Sequence, residues 1–308
     1  MRLFVLSVLL VVTARQPALA SVDDTLLALA PSSTKVLTGI DVKRAATSRA
    51  GSYILNETLT DEGVATLART TGLNVRRDIR QMLYVGLEQQ SAANLSYVLI
   101  AHGAFDAPRL IAVARSKGAS VRQYRGSALL VLNTGKSASG VAFPRAGIVF
   151  FGDLATVEAV LSAQPSSPGV VAALREQVAR IGPANDMWFA TLLSGSFLVR
   201  QTHDSLPPPM RNSELLDGIS RSLGGLRFGK NDQITLDLIA RTASDARLLS
   251  GLLHVGGSLA HLPIGGSAEL SLAESVLSSM QVSVEGSTVH ATSTLADEQL
   301  ERALVSGK

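Results

Sequence analysis

Strand-length apolar runs and amphipathic helical stretches alternate along this chain in an order that recurs. The segments NLSYVLIA (94–101) and DQITLDLIA (232–240) are rich in β-branched and apolar residues, and each meets a turn before a 3.6-residue periodicity begins. Across that turn LIAHGAFDAPRL (99–110) matches LIARTASDARLL (238–249) without a gap. Leu99, Ile100, Ala101, Ala104, Asp106 and Ala107 stand where Leu238, Ile239, Ala240, Ala243, Asp245 and Ala246 stand. The flanks correspond as well. VLTGIDVKRA (36–45) and MWFATLLSGSFL (187–198) each read as a first strand leading into a helix or turn. The helical patterns DEGVATLARTTG (61–72) and NSELLDGISRSLGG (212–225) follow, each with glycine as its expected stop, and then the strands QMLYVGLE (81–88) and GLRFGK (225–230).

After the matched turn the first half continues with VRQYRGSALLVLN, GIVFFGD and the helix LATVEAVLSA, the second with MQVSVEGSTVHATSTL and the helix ADEQLERAL. The short turns YRGSA and VEGST favour hairpins. The pattern therefore predicts an α+β fold of two tandem pseudo-repeats, each β-α-β-β-α-β-β-α, with mainly antiparallel sheets. The boundaries fall at 1–20 for a signal peptide, 21–164 for the first repeat, 165–184 for a connecting helix and linker bracketed by Pro-Ser-Ser-Pro-Gly and Gly-Pro, and 185–308 for the second repeat. The proline-rich SLPPPM (205–210) reads as an exposed loop.

The first twenty residues stand outside this pattern. Arg2 precedes the apolar run Leu3 to Val12, and Ala18-Leu19-Ala20 supplies the small residues of a cleavage site. The run is about half the length needed to cross a bilayer, so a cleaved signal and export to the periplasm or beyond are expected. No other stretch predicts a transmembrane helix. Arg2 and Arg15 leave with the signal, which brings the 28 basic and 25 acidic residues closer to balance. Arg76, Arg77 and Arg80 form the densest basic group, with Asp78 among them and no aromatic run beside them, which argues against nucleic-acid binding. The chain has no cysteine, which excludes disulfides, thiolate metal sites and a thiol nucleophile. With 46% hydrophobic residues it holds itself together by core burial.

The segments KVLTGIDV (35–42), GLNVRRDI (72–79) and GAFDAPRL (103–110), behind a signal peptide, resemble an uncharacterised family of exported bacterial proteins. The resemblance covers most of the mature chain and implies no activity, cofactor or site residue.

Candidate chemistry is sparse. The run from Gly224 to Lys230 matches seven positions of a phosphate-binding loop, but Asn231 replaces the required hydroxyl and a strand follows where a helix should. Ser32 and Lys35 have S-x-x-K spacing ahead of a strand, with no S-D-N or K-T-G partner motif. The histidines, at 102, 203, 254, 261 and 290, are scattered, and His254 with His261 does not complete a zinc site. His102 ends a strand beside Gly103. Asp106 and Asp245 are expected to open helices as N-caps, with Pro108 in the first turn. Trp188, Phe189, Phe150 and Phe151 are expected in cores, and the helix from 244 to 262 and AELSLAESVLSSM (268–280) read as amphipathic elements. No catalytic residue, cofactor or metal ligand is therefore assigned. The sequence points to an exported binding or interaction protein with an unidentified protein or small-ligand partner. The alternative is a hydrolase with a dispersed Ser/His/carboxylate site and His102 as base.

Overall fold

The computed structural model describes residues 24–60, 62–88, 95–134, 137–163, 170–195, 214–259 and 276–306. The helices are α1 (Asp24–Leu27), α2 (Val42–Ala45), α3 (Arg49–Thr60), α4 (Glu62–Thr71), α5 (Val75–Asp78), α6 (Ala107–Ser116), α7 (Leu154–Ala163), α8 (Ala172–Ile181), α9 (Glu214–Asp217), α10 (Ala243–Leu259) and α11 (Asp297–Ser306). The strands are β1 (Thr34–Asp41), β2 (Ile79–Glu88), β3 (Leu95–Gly103), β4 (Ser120–Tyr124), β5 (Ser127–Thr134), β6 (Ser137–Arg145), β7 (Ile148–Asp153), β8 (Met187–Thr191), β9 (Ile219–Arg227), β10 (Asn231–Ala240), β11 (Gln281–Glu285) and β12 (Thr288–Ala296). The expected α+β class is observed. The expected signal peptide, the loop at 205–210, His203 and His261 lie outside the described residues.

All twelve strands form one sheet, ordered β11-β12-β10-β9-β8-β1-β2-β3-β7-β6-β5-β4, and every pairing is antiparallel. The segments on either side of residues 165–184 meet at the centre, where β1 pairs with β8. Gly39 stands opposite Trp188 in that pairing, and a Cβ on Gly39 would lie 2.3 Å from the indole Cε2. Only glycine lets the ring lie across the seam.

Register assigns the side chains to two faces. On one face Leu37, Leu83, Ile100, Phe150, Trp188 and Leu223 pack with Leu26 of α1, Val157 and Leu161 of α7, and Leu174 and Val178 of α8. On the other, α2 to α6 cover Ile79, Ala101, Leu130, Val141 and Phe151, while α10 covers Ile219, Ala240 and Val289. Leu300 of α11 packs with Leu295 of β12 and Ala50 of α3 on this second face.

Two expectations are corrected. Residues 212–225 do not form a glycine-stopped helix: within the described part α9 is one turn long, and Ile219–Arg227 is a sheet strand. Gly224 and Gly225 sit inside that strand because the Phe189 ring and the Asn185 side chain occupy the space of their Cβ atoms, at 2.5 Å and 2.2 Å. The second correction concerns the first half, which places four strands between α6 and α7 rather than two. Of the added strands, β6 has the unpromising sequence SASGVAFPR, and Pro144 is accommodated at an irregularity between Ala142 and Arg145. The connecting segment does hold a helix, α8, closed by Gly182-Pro183.

Candidate functional site

The helices that follow β7 and β12 take opposite faces. After β7, α7 folds onto the first face, seated by an Arg122–Glu158 ion pair and by the Tyr124 hydroxyl 2.9 Å from Ser162 Oγ. After β12, α11 folds onto the second face. The first face of β10, β12 and β11 is consequently polar. Gln233, Gln281, Ser283, Thr292 and Thr294 are exposed there, while Val289, Ala291, Ser293 and Leu295 on the opposite side of β12 are buried. Antiparallel sheets commonly bury one face and wet the other.

A charged network stands on this polar face. His290 Nδ1 is 2.8 Å from Asp237 Oδ1 across the β10–β12 pairing. Arg180, near the end of α8, donates from Nη2 to Asp237 Oδ2 at 3.1 Å. His290 Nε2 lies 3.9 Å from Glu285 Oε2, and Ser283 is the β11 residue opposite His290. Both imidazole nitrogens therefore face carboxylates, and both oxygens of Asp237 are engaged. The group presents partly exposed charge at the sheet surface.

A second polar cluster lies on the buried face. Asp186 accepts from Arg44 Nη1 at 2.8 Å and from the Phe228 N–H at 2.9 Å, and it raises the Arg44 pKa above its usual value, chiefly through that hydrogen bond. Asp232 is fully buried. Its Oδ1 accepts from the Gly229 N–H at 3.0 Å, and its Oδ2 has no hydrogen-bond partner. Burial pushes its pKa up to about 6, with Asp297 and Asp186 adding to the effect and the Gly229 N–H opposing it. Among the described residues no group of three or more His, Asp or Glu side chains is placed to hold a metal ion, and no helix is long and apolar enough to cross a membrane. Beside Asp297 a polar groove of about 500 Å³ runs between α3 and α11, lined by Arg49, Ser52, Tyr53, Asn56 and Glu301.

The residues singled out in the sequence are dispersed. His102 is a half-buried residue of β3, its ring over the Gly147 turn. A carboxylate–imidazole pair does form, at His290, whose partner Asp237 is remote in sequence. Asp106 is the N-cap of α6, accepting from the Arg109 N–H at 3.1 Å. Asp245 is not a cap: Thr242 Oγ1 accepts the Asp245 N–H at 3.1 Å, so α10 starts a turn earlier than the match with Asp106 implies. Gly224 to Lys230 forms a strand end and hairpin, and Ser32 precedes β1 in a turn, with Lys35 in the strand. Arg77 pairs with Asp78 at 2.5 Å and Arg76 donates to Asn56 at 2.6 Å. The Arg77 guanidinium lowers the Asp78 pKa, and the Asn74 N–H contributes in the same direction.

Neither known family models nor curated proteins match the chain. Among solved structures it is similar to crystal form I of TP0453, at 13% identity and a TM-score of 0.50, over 93% of this chain and 98% of that one. A likeness at that identity shows a shared fold.

Proposed function

We propose that this chain is an exported, non-enzymatic binding or interaction protein built from two copies of one strand–helix unit, and that it engages its ligand or partner on the polar face of β10, β12 and β11. The observation that carries the reading is the network in which Arg180 of α8 meets Asp237, His290 and Glu285 of β10, β12 and β11. A rigid sheet holding charges at fixed spacing suits recognition, because little side-chain freedom is lost on contact. The duplication is supported by strand order outward from the centre, β1-β2-β3-β7 on one side and β8-β9-β10-β12 on the other, together with the matched segments at 99–110 and 238–249. Export is supported by the residue pattern of the first twenty positions.

The test is native mass spectrometry of the chain purified from a bacterial periplasm. The expected result is a chain beginning at Ser21 that carries a stoichiometric ligand or partner, lost in Thr292→Arg and retained in Ser116→Arg on α6. A bound species unaffected by Thr292→Arg would move the site elsewhere on the protein.

The hydrogen bond between His290 and Asp237 favours one second reading, a hydrolase with His290 as base and Asp237 orienting it. That reading requires turnover of simple esters that disappears in His290→Ala. The position of Glu285 beside Nε2 counts against it, since a base must offer that nitrogen to a hydroxyl.

A further inference from the structure

The start of α3 is closed by a residue of the C-terminal helix. Asp297, the first residue of α11, accepts the Arg49 N–H on Oδ2 and the Ala50 N–H on Oδ1, each at 2.9 Å. Ser48 Oγ takes the Gly51 N–H at 2.8 Å, and the Asp297 N–H donates to the Lys230 carbonyl at 3.3 Å. The two bonds to the Asp297 carboxylate satisfy helix-terminal amides that have no acceptor within the helix itself. Asp232 lies close enough to interact with Asp297, and it is fully buried with one oxygen lacking a hydrogen-bond partner. When Asp232 carries a proton, its second oxygen has a hydrogen to offer toward Asp297.

The surrounding charges are accounted for. Asp186, from the segment before β8, faces Asp232 with its own charge engaged by Arg44 of α2. Lys230 lies in the β9–β10 turn. Arg49 of α3 is occupied at the surface by Glu298 and Glu301 of α11, at 3.4 Å and 3.8 Å. None of these cations is paired with Asp232.

We propose that Asp232 and Asp297 form a proton-operated latch between α11 and the start of α3. With a proton on Asp232 the two helices dock. With both carboxyls ionised, the buried charge of Asp232 repels the half-exposed carboxylate of Asp297, Asp297 is pushed off the α3 amides, and the groove between α3 and α11 widens. The raised pKa of Asp232, about 6, puts this change within a range that an exported protein meets. The latch does not depend on the proposed binding face.

The absence of native cysteine makes the test clean. Spin labels on Ser52→Cys and Glu301→Cys, across the groove in the full chain, give a distance distribution at about pH 5 and about pH 8. The expected result is one short distance at the lower pH and a growing longer population as pH rises through about 6, with Asp232→Asn keeping the short distance throughout. A distance unchanged with pH in the parent, or a transition that persists in Asp232→Asn, overturns the latch. Should Asp232→Asn fail to fold, carbon-13 titration of the parent's carboxyls decides: an Asp232 midpoint coinciding with the distance change supports the latch, and one in the ordinary carboxylate range overturns it.

Discussion

The carboxylate of Asp297 caps the helix that begins at Arg49, accepting its N–H at 2.9 Å across 248 residues of sequence. The contact ties the last described helix to one of the first, on the face opposite to α7.

Removing that carboxylate leaves two helix-terminal donors without their protein acceptor. Asp297→Ala is expected to cost about 2 kcal/mol, since a single lost cap costs about 1. Glu298→Ala, removing an exposed ion pair from the same helix, is expected to stay within about 0.5 kcal/mol. Urea unfolding of the two variants separates capping from surface charge.

The folded-state pKa of Asp232, about 6, lies above its ordinary value of 3.8. Between those values the folded chain holds a proton that the unfolded chain has released. The contribution of this group is therefore fully present below 3.8 and is lost as pH rises through about 6. Asp232→Asn keeps an acceptor for the Gly229 N–H and cannot ionise. Its stability relative to the parent is expected to rise between about pH 4 and pH 7, by about 1–3 kcal/mol. Denaturant titrations at several pH values measure the slope; a difference that stays flat would remove Asp232 as its source.

Gly39 and Gly251 predict opposite outcomes for one substitution. A Cβ on Gly39 would press into the Trp188 indole at 2.3–2.5 Å, whereas nothing lies within 4 Å of one on Gly251, inside α10. Gly39→Ala is expected to destabilise by about 1–3 kcal/mol through overpacking at the seam. Gly251→Ala is expected to stabilise by about 0.5–1 kcal/mol through helix propensity. Melting curves of both variants make the comparison.

The helices α6 and α10 begin with different caps. Asp106→Ala and Thr242→Ala are each expected to cost about 1 kcal/mol, and Asp245→Ala less, because the Asp245 side chain is not the cap. A larger loss in Asp245→Ala than in Thr242→Ala would contradict the observed helix start.

Local chemistry made much of the fold readable before any tertiary information. The apolar runs at 95–101 and 234–240 and the glycine turns at Gly126 and Gly286 specify strands and hairpins, because alternation and positive φ are properties of neighbouring residues. The same local view misplaced 219–225, where apolar spacing and a Gly-Gly pair resemble a helix with its stop. Those glycines answer to Phe189 and Asn185, which no local pattern reports. It also missed β6, whose small residues fit only because β5 and β7 flank it. Of the site, Asp237 and His290 were visible as residue types and invisible as a pair, since 53 residues separate them.

The sequence by itself determined the class of fold, most of the strands and helices, the Asp106 cap, the lack of thiol chemistry and the internal match between the halves, all consequences of short-range spacing and composition. Only the tertiary structure decided that the strands join into one continuous sheet through β1 and β8, that α11 crosses to the second face, and that Asp232 is buried beside Asp297. Those features depend on which distant surfaces exclude water together. Asp297 reads locally as an ordinary first-turn acid; it becomes the cap of another helix only when the ends of the chain meet.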